Sequence, residues 1–149
     1  RDGYGVALSG PCDWVRVSGL VFGYRIGVMG AANDVTLWRM QVDGKRDNPA
    51  RTTGVILGAR RMQMIGCQVA SQDTGVLVKG DKCKINLSAW NNRLGLRVDK
   101  GSHVVTGTMD GNERDVVVAD QAAVNFGGLD YIGTDRRWTL CRATSATLP

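Results

Sequence analysis

The sequence predicts an all-β fold: a single-stranded right-handed parallel β-helix, or β-solenoid, of about six coils. Three observations lead there. A segment recurs about every 20 residues, apolar and polar residues alternate inside each copy, and 20 glycines stand against only 3 prolines. Recurrence at that period marks repeat architectures. Alternation marks strands with one buried face. Glycine in such excess fits many tight turns that need positive φ.

The first strand of each copy opens on glycine plus an aliphatic residue at Gly5-Val6, Gly27-Val28, Gly54-Val55, Gly75-Val76 and Gly95-Leu96, and Asp115-Val116 continues the series. The starts are 22, 27, 21, 20 and 20 residues apart. One apolar row is Val6, Val28, Val55, Val76, Leu96 and Val116; two residues on stand Leu8, Gly30, Leu57, Val78, Val98 and Val118. A second strand follows with Val15, Val35, Met62, Cys83, His103 and Ala123, then Val17, Leu37, Met64, Ile85, Val105 and Asn125. A third, shorter segment supplies Leu20/Phe22, Met40/Val42, Cys67/Val69 and Leu87/Trp90, then Met109 and Leu129. No i, i+3, i+4, i+7 stripe is long enough for a helix.

One such unit cannot bury its apolar face alone. Stacking the copies, each strand beside its equivalent, buries all of them in one column. Rungs about 4.8 Å apart make six coils roughly 30 Å tall. Leucine-rich repeats share the period but need an LxxLxLxxN pattern that is missing, and a β-sandwich would show hairpin turns instead of a fixed register. The second coil carries its surplus in Gly44-Lys45-Arg46-Asp47-Asn48-Pro49-Ala50-Arg51, a charged segment that belongs outside the column. It is either a binding loop, with Arg46 and Asp47 as contacts, or a tolerated surface insertion. Coils are expected over residues 1–130, and residues 131–149 form an extension or cap. The start at Arg1 suggests further coils or another subunit beyond it.

Net charge is +5, from 14 Arg and 5 Lys against 13 Asp and one Glu. No basic cluster exceeds two adjacent residues, and none pairs with an aromatic in a recognisable nucleic-acid-binding motif. No apolar run approaches the roughly 20 residues that span a bilayer. Cys12, Cys67, Cys83 and Cys141 lack CxxC spacing and read as small buried hydrophobes in a reducing compartment. No metal constellation or phosphate-cradling loop is visible, and no cofactor is expected. The single His103 shares a column with Val15, Val35, Met62 and Cys83, which makes it a packing residue.

Chemistry has one candidate place. In the third segment, Phe22, Val42, Val69 and Trp90 are followed by Asp110 and Asp130. Pointing outward one rung apart, these two carboxylates would stand near 5 Å, the separation of nucleophile and acid/base in retaining glycosidases. Glu113 lies at the neighbouring corner in one column with Arg93, beside Asn92 and Asn112, a polar set suited to sugar hydroxyls. Asp and Asn also fill corners for structural reasons, because their side chains bond nearby amides. Among aromatics, Trp90 shares a column with core residues, whereas Trp38 alternates with Leu37 and Met40 and is the better sugar-stacking or interface contact.

The run "CDWVRVSGLVFGYRIGVMGAANDVTLWRMQVDG", followed by "TGVILGARRMQMIGCQVASQDTGVLVKG", resembles the pectate-lyase-like right-handed parallel β-helices, and among them those of bacteriophage tailspikes and tail fibres. Val15, Val17, Leu20 and Phe22, then Gly27-Val28, carry the likeness. It implies a homotrimer of side-by-side β-helices on the virion tail, assembled in the host cytoplasm, that contacts bacterial surface polysaccharide without inserting into a membrane. Some members of that group cleave the glycan and others only hold it. Polygalacturonase-type members carry Gly-His-Gly, where this chain has Gly101-Ser102-His103, so that activity does not carry over; the pectate-lyase calcium cluster is not evident either. The expectation is a structural and glycan-binding segment. The alternative is a hydrolase or lyase using Asp110, Asp130 and Glu113, and an adhesin passenger domain is a third possibility.

Overall fold

The computed structural model describes residues 3–11, 14–44 and 51–130 in full, and the backbone of 131–132 and 138–140. The expected loop contacts Arg46 and Asp47 lie outside the described residues. In chain order the strands are β1 (Tyr4–Leu8), β2 (Arg16–Val17), β3 (Leu20–Phe22), β4 (Ile26–Gly30), β5 (Thr36–Trp38), β6 (Gln41–Asp43) and β7 (Thr53–Leu57). Then come β8 (Gln63–Ala70), β9 (Thr74–Val78), β10 (Lys84–Trp90), β11 (Leu94–Asp110), β12 (Arg114–Asn125), β13 (Leu129–Ile132) and β14 (Trp138–Leu140). No described residue is helical.

Strand pairing is parallel throughout, and it sorts the strands into three faces of a β-solenoid of about six turns. The first face runs β1, β4, β7, β9, the start of β11, the start of β12, then β14. The second runs β2, β5, the start of β8, the start of β10, the middle of β11 and the end of β12. The third runs β3, β6, the ends of β8, β10 and β11, and β13. Thus β14 adds a rung past residue 130, with Trp138 opposite Val116.

Residues that repeat in the sequence stack in the fold. Val6, Val28, Val55, Val76, Leu96 and Val116 oppose one another rung by rung. From Val28 onward each is fully buried. Full burial of such side chains contributes about 1.5–3 kcal/mol apiece before chain entropy is charged against it. Gly30 interrupts the neighbouring column, and Met62 occupies the space: a Cβ on Gly30 would meet the Met62 Cε at 2.0 Å. The glycine that opens each first-face strand also has a steric reason. A Cβ on Gly75 would lie 2.5 Å from the Gly95 carbonyl oxygen of the next rung.

The corners repeat as regularly as the strands. Trp14, Asp34, Arg61 and Lys82 all sit in the left-handed region, with φ of 66°, 57°, 55° and 53°. That conformation costs a non-glycine residue roughly 1–2 kcal/mol. Recurrence at one place in four successive coils shows that the turn between the first and second faces demands it there. Cross-rung bonds offset the cost. The Arg61 guanidinium pairs with Asp34, and the Arg60 amide donates to Asn33 Oδ1 at 3.0 Å. A second left-handed corner recurs at Ser71, Asn91 and Gly111.

Two expected columns differ from the structure. On the third face Val21 points inward at 7 % exposure, whereas Leu20 and Phe22 are 67 % and 57 % exposed. The inward row continues through Val42, Val69, Ala89 and Met109, so Trp90 faces outward and is half-buried instead of packing in the core. A slip of one residue inverts every side chain of a strand, and the step from Val69 to Trp90 is 21 residues where the rungs step 20, from Val69 to Ala89. In the last coil the residue opposite His103 is Val124, not Ala123, and Asn125 is exposed. An irregularity between Val98 and Lys100 lengthens β12 by one residue there and moves Val124 and Phe126 into the interior.

Candidate functional site

The polar corner after the third face is built as a ladder. Gln72, Asn92 and Asn112 occupy one position on three successive rungs, and all three are buried. Asn92 Oδ1 accepts the Gln72 amide at 3.0 Å, and Asn112 Oδ1 accepts the Asn92 amide at 3.0 Å. Asn92 Nδ2 donates to the Val69 carbonyl and to Asn112 Oδ1; Asn112 Nδ2 donates to the Ala89 carbonyl and to Asp115 Oδ1. Both amides are thus committed inside the coil. Asn92 and Asn112, expected among the sugar contacts, instead satisfy backbone groups that the turn would leave unpaired.

Just outside that ladder, Asp73, Arg93 and Glu113 follow one another on the same rungs. Arg93 grips Asp73 with both ends of its guanidinium, from Nε to Oδ1 and, at 3.2 Å, from Nη2 to Oδ2. That bond, with further help from Glu113, raises the Arg93 pKa above its ordinary value. Arg93 and Glu113 line a recess of about 600 Å³ together with Arg97 and Arg114.

The two aspartates are less close than one rung. Asp130 stands opposite Thr108, and Asp110 stands opposite Ile132. Both are exposed on the outer third face. Their relation is therefore a diagonal across adjacent rungs, about 7–8 Å between such positions, not the 5 Å of a direct pair. Trp90 lies opposite Asp110 on the rung before it.

The outer second face collects the remaining candidates. Trp38 points outward, half-buried, with the Arg16 guanidinium 4.8 Å and the Arg39 guanidinium 5.5 Å from its ring centroid. One outward stripe runs from Trp38 to Ile65 and on to Asn86 and Thr106. Beside it run Arg16, Thr36, Gln63, Lys84, Val104 and Asn125. Asn86 holds the stripe together: its Oδ1 accepts the Gly66 amide at 3.0 Å, and its Nδ2 donates to Thr106 Oγ1 at 3.0 Å. Between the stripes lies a recess of about 470 Å³ lined by Gln63, Ile65, Lys84, Asn86, Val104 and Thr106. A second recess of about 470 Å³ adjoins it through Lys84 and Val104, and its wall includes Lys82, Ser102, His103 and Asn125. Sequence reading picked Trp38 but missed this grouping. Its members are ordinary surface residues scattered along the chain from Arg16 to Asn125, and only the rung register brings them together.

His103 and Cys83 form the inner wall of that second recess. His103 Nδ1 accepts the Cys83 amide at 3.3 Å while Nε2 stands 2.7 Å from the Lys100 carbonyl, which fixes the neutral ring with its proton on Nε2. Burial pushes the Cys83 thiol up to about 11, so it stays protonated and is no nucleophile. Cys67 is likewise a buried free thiol. Burial lowers the His103 pKa below 6.5, against smaller upward pulls from the Lys100 carbonyl and the Asp81 carboxylate. Because the folded value is depressed, the unfolded chain takes up the proton first. Stability is therefore full above pH 6.5 and falls as pH drops from there through the folded value. Urea unfolding at pH 7.5 and pH 5.5 is expected to show a loss for the native chain that His103→Gln reduces; an equal loss in both rules out His103 as its source.

Among the described residues no group of three or more His, Cys, Asp or Glu side chains is placed to hold a metal ion. No family model, curated protein or solved structure matches the chain.

Proposed function

We infer that the chain is a β-helix segment of a phage tailspike or tail fibre, structural in itself and binding bacterial surface polysaccharide during host attachment. The observation that carries this reading is the outer second face. An aromatic ring flanked by two arginines continues along the coil axis into a groove of amide, hydroxyl and amine groups with Ile65 and Val104 between them. A pyranose offers the complement, an apolar ring face bordered by hydroxyls. The scaffold holds these groups at fixed rung spacing, so little ordering is needed on binding.

A second feature supports side-by-side packing with sister chains, as a homotrimer on the virion tail. The first face is apolar on its outside as well: Met29, Ile56, Leu77 and Val117 occupy one outward column, broken only by Arg97. Ile56, flanked by Met29 and Leu77, is only 9 % exposed although it points away from the core. The outward columns of the other two faces mix polar residues with apolar ones, Trp38 and Ile65 on the second and Leu20, Phe22 and Trp90 on the third.

Trp38→Ala is expected to weaken binding to a recognised bacterial polysaccharide by roughly five-fold or more, the effect of losing an aromatic stack of about 1–3 kcal/mol. Affinity measured by calorimetry against a panel of capsular and O-antigen glycans checks this; unchanged affinity contradicts the assigned face. The other reading, a hydrolase or lyase, keeps Asp110 and Asp130. Their diagonal favours the wider carboxylate separation of inverting glycosidases, about 6.5–9.5 Å. Glycan depolymerisation that survives Asp110→Asn removes it.

A further inference from the structure

We propose that the recess at the corner between the first and second faces is a subsite for a carboxylate-bearing sugar, so that the glycan held on the second face is an acidic one. The proposal rests on the glycan reading above and narrows its substrate class. The recess of about 470 Å³ takes Lys82 and Lys84 from one rung, Ser102 from the next and Asn125 from the one after. Four of the five lysines, Lys79, Lys82, Lys84 and Lys100, fall within 22 positions of the chain, on two consecutive rungs at this corner.

Two of the acids nearby are already engaged, and the third, Asp120, stands exposed one rung beyond Lys100. Asp81 accepts the Ser102 amide at 3.0 Å and lies 3.8 Å from the Arg60 guanidinium, and Asp99 is held by Arg97 at 2.7 Å. Lys82 and Lys84 are exposed. Each ammonium is a compact charge that bonds carboxylate oxygens. Ser102 and Asn125 add neutral groups for hydroxyls, and Val104, 43 % exposed, offers an apolar floor. Lys84 lines both recesses. A carboxylate held there leaves the next sugar in the groove that leads toward Trp38.

The test uses the whole chain with two probes of matched length: hyaluronan oligosaccharides, which carry glucuronate, and uncharged dextran oligosaccharides. Nitrogen-15 amide shifts and calorimetry read the outcome. Expected is binding of the acidic probe about ten-fold tighter than the neutral one at low salt, with shifts at Ser102 and Asn125. Raising salt to about 1 M, where charges are screened beyond roughly 3 Å, is expected to remove the difference, as is the pair Lys82→Gln with Lys84→Gln. Both lysines are exposed, so the variant keeps its fold, which circular dichroism verifies. Equal binding of both probes, unaffected by the lysine variant, overturns the acidic subsite and leaves the glycan reading standing. If neither oligosaccharide binds, free glucuronate decides: lysine-dependent shifts at Ser102 and Asn125 keep the subsite without the glycan reading, and their absence overturns it.

Discussion

Leu96→Ala is expected to lower the unfolding free energy by about 2–5 kcal/mol, the range for truncating a buried leucine. Leu96 is fully buried between Val76 and Val116 on adjacent rungs. A rung cannot close the gap by moving sideways, because its backbone is hydrogen-bonded to the rungs on either side. The cavity therefore persists, which places the cost toward the upper part of that range. Guanidinium denaturation of the variant beside Arg97→Ala separates the effects. Arg97 is the next residue but points outward, and its exposed pair with Asp99 is worth less than about 1 kcal/mol. Equal, small losses in both variants contradict an inward ladder at Leu96.

Asn92→Ala is expected to cost about 2–4 kcal/mol, since an unpaired buried polar group costs roughly 1–3 kcal/mol. The variant strands the Gln72 amide, which loses Asn92 Oδ1, and takes the Nδ2 bond from the Val69 carbonyl, which keeps its place in the β8–β10 ladder. It also removes one partner of Asn112. Gln68→Ala, on an exposed outward position of the same rungs, is the comparison and is expected to change little. Thermal unfolding followed by circular dichroism checks both. A stability loss at Asn92 no larger than at Gln68 shows that the corner does not depend on the ladder.

Most of the coil was legible in the sequence because period-2 alternation survives in every copy of the first strand. Val55, Val76, Leu96 and Val116 align at spacings of 20 or 21 residues, and all four are fully buried. The third strand was harder. Its segments are short, and the corner that follows carries Trp90 or Asp110 directly after Ala89 or Met109. Column position suggested Trp90 as the inward residue; parity from Leu87 to Ala89 decides otherwise. A separate slip set Asp110 against Asp130: equivalents on the last rung lie 22 residues apart, not 20, so the register parts the two aspartates by two positions. Irregularities hide from alignment too. The extra residue at Ile65-Gly66, where Gly66 turns to a φ of 60°, is repaired locally by Asn86, and nothing in the sequence near Gly66 announces it.

The site was legible only in its parts. Trp38 stood out because it alternates with Leu37 and Met40. Lys84, Asn86, Thr106 and Asn125 carry no signal of their own, since a polar residue every second position is what any outward strand shows. Asn92 and Asn112 illustrate the reverse error: a polar pair at matching positions suggested a ligand, while its geometry answers the backbone's need at a tight corner.

Methyl-methyl Overhauser contacts in the labelled protein test the stacked column most directly. The account expects an unbroken chain of contacts from Val28 to Val55, Val76, Leu96 and Val116, each residue touching its equivalents on the neighbouring rungs and no other member of the series. Contacts that skip members, or none between Val76 and Leu96, would contradict it.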